Sequence, residues 1–194
     1  MKFITAAASL ALASVVSAAP RWADWAPKSC PEAQCPDVEC PVDTCLQQSD
    51  AEDIVNKFIS VLNHPDVKAS NATAQALIGD DFFEESDSIN MLAGHPVGSV
   101  TFSGKQNYIN GVLYAPSITD IETIKVMPAG CNNVLWYWQM IIGSKQIPVK
   151  GMNLFEIDDD GKIADMYVEF NNIAWGIDIG FTATNPGGKK LPTA

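Results

Sequence analysis

Proton transfer on a small molecule needs carboxylate, imidazole or phenol groups held together away from bulk water. Three sets of such residues stand out. The β-prone run 162–170 alternates with period two, so Ile163, Asp165, Tyr167, Glu169 and Asn171 share one face, and Ala164, Met166, Val168 and Phe170 share the other. The second face is core-like. Tyr167 and Glu169 become pocket groups if the first face looks into a cavity, and ordinary polar surface if it looks into water. Asp80 and Asp81 follow a short helical stretch, where they read as a turn that punctuates the helix end. Of the two histidines, His64 precedes Pro65 at a helix end and reads as surface, whereas His95, in Gly94-His95-Pro96, could lip a cavity mouth.

Apolar chemistry is concentrated in Val134–Ile142. There Trp136 and Trp138 point one way and Tyr137 the other. With Tyr108, Met140 and Phe155 they could line a site for a flat or greasy ligand, because aromatic rings carry large apolar area. The alternative is packing of a sheet onto helices, or a dimer face.

The elements that would position these groups follow from periodicity. Residues 49–64 read as an amphipathic helix, with Ile54, Val55, Phe58, Ile59 and Leu62 at helical spacing and acids in the first turn. A second helix is expected over 69–78 and a third over 104–113, with Tyr108, Ile109 and Val112 inward. Residues 88–103 read as loop with short strands. Four strands follow, over 118–127, 134–142, 146–157 and 162–170. Asp158-Asp159-Asp160-Gly161 is a hairpin signal between the last two. Three helices before a four-strand meander predict an α+β fold, with a hollow between the layers if the sheet curls.

Ahead of this domain lie two further segments. Residues 1–18 have a basic start, a short apolar run and a small-residue cleavage site, the pattern of a secretory signal peptide. Residues 19–48 form a lead in which Cys30, Cys35, Cys40 and Cys45 recur every five residues, the first three each followed by proline. That spacing does not suit zinc, which takes Cys-x2-Cys pairs or added histidines. Two local disulfides are expected, leaving Cys131 free, or tying the lead to the domain where a lead cysteine is spare. Asn71-Ala72-Thr73 is a glycosylation acceptor if the chain is secreted. A net charge of −11 argues against nucleic acid as a partner. No run of apolar residues is long enough for a membrane span. Nothing calls for a cofactor. Residues 179–194 read as a mobile tail.

The order of elements resembles the NTF2-like superfamily, closest to its SnoaL-like branch and to the domains of this kind that filamentous fungi secrete. The resemblance is carried by the hairpin from Gly151-Met152-Asn153-Leu154-Phe155 through Gly161-Lys162-Ile163 to Tyr167-Val168-Glu169-Phe170. Phe82-Phe83 after Asp80-Asp81, and Phe102-Ser103-Gly104 before the third helix, support it. It covers about residues 49–178 and implies a cone: three N-terminal helices packed on a curved antiparallel sheet of four long strands. The superfamily holds isomerases, cyclases and dehydratases as well as non-enzymes, so three functions stay open, and the sequence favours the first over an enzyme because it shows no convincing base–acid pair. One is a secreted, non-catalytic module binding a small apolar ligand or a partner through Trp136, Trp138, Met140 and Phe155, with a homodimer admitted. The second is an enzyme with Asp81 or Glu169 as base and Tyr108 or Tyr167 as donor. The third is an interaction protein linked through the cysteine strip.

Overall fold

The computed structural model describes residues 45–191. The signal peptide, most of the Cys-Pro lead with Cys30, Cys35 and Cys40, and residues 192–194 lie outside the described residues.

Helix α1 (Gln48–Asn63) starts in a capping box, in which Gln47 and Asp50 satisfy each other's backbone N–H groups. It buries Ile54, Val55, Phe58 and Val61. Helix α2 (Val67–Leu77) is capped by Asp66 and holds Asn71 and Thr73; the Thr73 hydroxyl donates to the Ala69 carbonyl at 3.2 Å. Strand β1 (Ile78–Glu85) follows directly. Next come helix α3 (Asp87–Ala93), strand β2 (Val100–Ser103) and helix α4 (Lys105–Tyr114). Strands β3 (Asp120–Pro128), β4 (Asn133–Ile141), β5 (Pro148–Ile157) and β6 (Ile163–Phe170) form the expected meander, and helix α5 (Asn172–Asp178) closes the series.

The described residues therefore form an α+β fold with five helices and a six-stranded sheet of order β2-β1-β6-β5-β4-β3. The four long strands are antiparallel as expected, but the sheet is mixed, because β1 pairs with β6 in parallel. The two extra strands and α3 come from the stretches read as turn and loop. They are short, and α3 ends at Gly94 in the left-handed conformation glycine favours.

The inner face of the sheet packs on α1, α2 and α4. Strand β4 alternates strictly, with Val134, Trp136, Trp138 and Met140 buried and Tyr137 outward, as the sequence pattern implies. Trp138 reaches this position because position 151 opposite it has no side chain. A Cβ on Gly151 would lie 2.4 Å from the indole ring.

Cys45 bonds to Cys131, in the turn between β3 and β4. This corrects the expectation of two disulfides confined to the lead: the last lead cysteine is joined to the domain. The stretch expected to be a mobile tail contains a turn, closed by a bridge between Thr184 and Lys190. No helix among the described residues is long and apolar enough to cross a membrane.

Candidate functional site

Between the inner face of the sheet and the helices lies a cavity of about 120 Å³. Trp136, Trp138 and Met140 of β4, Met166, Val168 and Phe170 of β6, and Phe58 and Leu62 of α1 supply most of its wall. Besides the indole N–H groups, three of the described wall residues bring polar atoms: Glu84, Tyr108 and Asn153.

Among the described residues, Glu84 is the only carboxylate lining it. Its placement comes from β1. The pairing with β6 shifts register between Ile78 and Phe83, which leaves both Asp80 and Asp81 exposed. Alternation then resumes, so Phe82 and Glu84 both point inward, and Glu84 lies beside Met166 of β6. Only 2 % of Glu84 is exposed. Burial raises its pKa from the ordinary 4.5 to about 8, with no cation or hydrogen bond acting against it. At neutral pH Glu84 is therefore mainly the neutral acid, and its carboxylate form is a stronger base than an ordinary carboxylate.

Tyr108 is caged by Phe82, at 4.6 Å between centroids, and by the edge-on ring of Phe102 at 5.7 Å. Burial, and then the neighbouring Glu84 charge, push its phenol well above the usual value. It therefore remains an O–H donor throughout the range in which Glu84 titrates.

Asn153 is oriented by Trp138. The indole Nε1–H donates to Asn153 Oδ1 at 2.6 Å. An indole can only donate, so the amide oxygen must face it and the NH₂ must face the other way. The Nδ2 group meets only the Met166 sulfur, at 3.1 Å, a weak acceptor. Donor capacity is left for a guest in the cavity.

The sequence-derived candidates divide between the two sides of the sheet. Tyr108, Trp136, Trp138 and Met140 line the cavity. Phe155 is fully buried but packs against Phe58 and Trp136 outside the lining set. Asp81 is exposed. Tyr167 lies on the outer face against Phe83. Glu169 is also outside, where its carboxylate accepts from the backbone N–H groups of Asp87 (2.7 Å) and Ser88 (3.1 Å) and from the Ser88 hydroxyl. It caps the start of α3. Of the acids beside Asp81, Asp80 pairs with Lys105, which holds its carboxyl below the usual range. His64 bonds to the backbone carbonyls of Val61 and Ala115. Because the Glu169 carboxylate meets the N–H end of a helix, Glu169→Ala should lower stability by roughly 1–2 kcal/mol. Thermal unfolding measures this, and the titration of the cavity should not change. Among the described residues no cluster of three His, Cys, Asp or Glu side chains could hold a metal.

The sequence pattern of one protein family, described as an NTF2-like domain, matches residues 44–182. The chain belongs to the NTF2-like family. Solved structures of the same fold include a SnoaL-like protein of unknown function from Burkholderia thailandensis, 20% identical, with a TM-score of 0.50, covering 65% of this chain and 98% of its own. A loop-truncation variant of IdmH is 18% identical, with a TM-score of 0.50, and the match covers 67% and 99% of the two chains. A steroid delta-isomerase from Pseudomonas aeruginosa is 15% identical, with a TM-score of 0.49 and coverage of 70% and 90%. No curated protein is significantly similar in sequence. At these identities the first two neighbours, with TM-scores of 0.50, show the fold alone, and the chemistry must be read from Glu84, Tyr108 and Asn153.

Proposed function

We propose that this NTF2-like domain binds a small, largely apolar carbonyl compound and isomerises it by proton transfer through Glu84. The observation that carries this reading is the Glu84 carboxyl inside an aromatic-walled cavity. The acid–base role expected of Asp81 or Glu169 passes to Glu84, and Tyr108 keeps the donor role. Glu84, as carboxylate, takes a proton from the carbon next to the carbonyl. The C–H electron pair moves into an enolate, whose oxygen is held by the Tyr108 O–H and the Asn153 N–H. Where a carbon–carbon double bond lies β,γ to the carbonyl, the enolate is a dienolate, and the Glu84 acid returns the proton to its γ-carbon, so that the double bond shifts into conjugation. Atoms and charge balance, and no cofactor is needed. The different environments of the buried acid and the caged phenol keep the base and donor roles apart.

The test is conversion of 3-cyclohexen-1-one to the conjugated ketone, followed by ultraviolet absorbance. Because the base is the ionised form, kcat/KM should rise with pH and level off above a pKa of about 8. A flat profile, or a turnover equal to that of buffer, refutes the enzyme reading and leaves the domain as a ligand-binding module.

Secretion with cleavage near residue 18, and a glycan on Asn71, belong to the same proposal. They are supported by the N-terminal pattern and by the Cys45–Cys131 disulfide, a bond that persists in oxidising compartments. Five cysteines less these two leave three, an odd number that cannot all pair within one chain. Thiol titration of the denatured, unreduced protein should find one thiol per chain, or a non-reducing gel should show linked chains that collapse with thiol. Absence of both would mean the remaining cysteine carries a cap. A non-covalent homodimer is also proposed. It is supported by the outer sheet face, where Met152 is 51% and Tyr167 39% exposed beside Tyr137 and Leu154.

A further inference from the structure

The cavity around Glu84, about 120 Å³, is close in size to the roughly 150 Å³ that admits benzene, which is room for one small ring. It does not stand alone. A second hollow of about 480 Å³ lies next to it, and Ile118 and Trp175 belong to the walls of both. The outer hollow is bounded by Pro116 after α4, by Ile141 and Ile142 at the end of β4, and by Ile179 after α5. Among the described residues, its one ionisable wall residue is Asp120.

We infer that the two hollows form one bipartite site for an uncharged, elongated apolar molecule, with its carbonyl end beside Glu84 and its tail in the outer groove. The inference rests on the Glu84 reading and adds the shape and polarity of the substrate.

Three observations carry it. The first is adjacency, because Ile118 and Trp175 line both hollows and their side chains stand between them. Both side chains are half-buried, and the Trp175 ring lies 4.6 Å from that of Phe170, which itself lines the inner cavity. The second is that the groove is held in shape. Asp178, 1% exposed, accepts the Ile147 N–H at 2.9 Å through its side chain, and its carbonyl accepts the Ser144 N–H at 3.1 Å. Gly143 packs so closely on this joint that a Cβ would lie 2.4 Å from the Asp178 carbonyl oxygen, and its φ of +66° favours glycine as well. The end of α5 is thereby fixed to the β4–β5 turn. A groove formed beforehand lowers the ordering cost of binding a flexible tail. The third is polarity. Ile179 stays 51% exposed at the groove, and a chain of net charge −11 disfavours an anionic tail or head.

The experiment compares cyclohexanone with 4-propyl- and 4-pentylcyclohexanone, read by quenching of tryptophan fluorescence at pH 7. If the tail enters the groove, each added methylene should tighten binding by about fourfold. Ile179→Asp should weaken the pentyl compound at least tenfold and leave cyclohexanone unchanged. Ile142→Ser, a milder change at the same wall, should act in the same direction, and circular dichroism checks that both variants are folded. Cyclohexanone binding with no gain from the tail, or a gain untouched by both variants, overturns the groove while the Glu84 reading stands. Failure of cyclohexanone itself to bind removes the Glu84 reading, and the groove inference with it.

Discussion

Glu84→Gln is expected to cut turnover sharply and, at the same time, to make the folded chain relatively more stable as the pH rises. The carboxyl has a pKa of 4.5 when free and about 8 when folded, because burial disfavours its charge. Between those values the folded state binds the proton that the unfolded state has released. Stability therefore falls with rising pH in this window, at about 1.4 kcal/mol per unit. Below 4.5 both states are protonated and the group is neutral in its effect. Above 8 both are ionised and the full penalty is present, about 5 kcal/mol for a shift of this size. Glutamine has nearly the same shape and does not titrate, so it keeps a constant contribution across the range. The quantity to measure is the difference in unfolding free energy between the two proteins, by urea denaturation from pH 5 to pH 8. It should swing in favour of the variant with every unit. Other titrating groups cancel in that difference. Parallel curves would mean that the folded carboxyl titrates like a solvated one, and the proposed base would lose its physical basis. Loss of a positioned proton-transfer group should lower the rate by roughly 10²–10⁴-fold. A variant that is more stable and inactive would show that the fold tolerates this acid for its chemistry.

Much of the scaffold was legible because its signals are periodic. Ile54, Val55, Phe58 and Leu62 mark one helix face, and the alternation through Trp136, Tyr137 and Trp138 sets which side of β4 is inside. The same alternation in β6 separates Met166 and Val168, which line the cavity, from Tyr167 and Glu169, which do not. Glu84 was legible only in part. It stands two residues after Phe82 in an extended run, and that spacing was the available signal. Its burial depends on the irregular pairing of β1 with β6, strands about eighty residues apart whose parallel contact no local pattern announces. Asn153 was hidden for a similar reason: its role exists only through the Trp138 indole across the strand pair. Helices α3 and α5, seven residues each, are too short to show a period, so Ile89 and Trp175 had no pattern to place them at the cavity. Cys45 fits the five-residue spacing of the lead, which masked its bond to a residue 86 positions away.

That bond carries the second large effect. Cys45 stands two residues before the cap of α1, and Cys131 sits in the β3–β4 turn. Around the disulfide, the Leu46 N–H donates to the Cys131 carbonyl at 2.9 Å, and the Gln48 side chain donates to the Val126 carbonyl at 3.1 Å. The start of α1 is thus fastened to the edge of the sheet formed by β3 and β4. α1 buries Phe58 against Phe155, at 4.9 Å, and against Trp136, so the fastening supports the cavity wall as well as the helix. The disulfide also closes a long loop, which shrinks the unfolded ensemble. Replacing both partners, Cys45→Ser with Cys131→Ser, should lower the unfolding free energy by about 2–5 kcal/mol. The double variant is the correct one, since either single change would free a thiol able to exchange with the cysteines of the lead. Urea denaturation of the variant and of the parent without reductant gives the difference directly. Equal midpoints would mean that the hydrogen bonds of Leu46 and Gln48 hold α1 on the sheet unaided. A stability loss accompanied by weaker cyclohexanone binding at the same pH would show that the cavity depends on this fastening, because Phe58 and Leu62 reach it only while α1 stays seated.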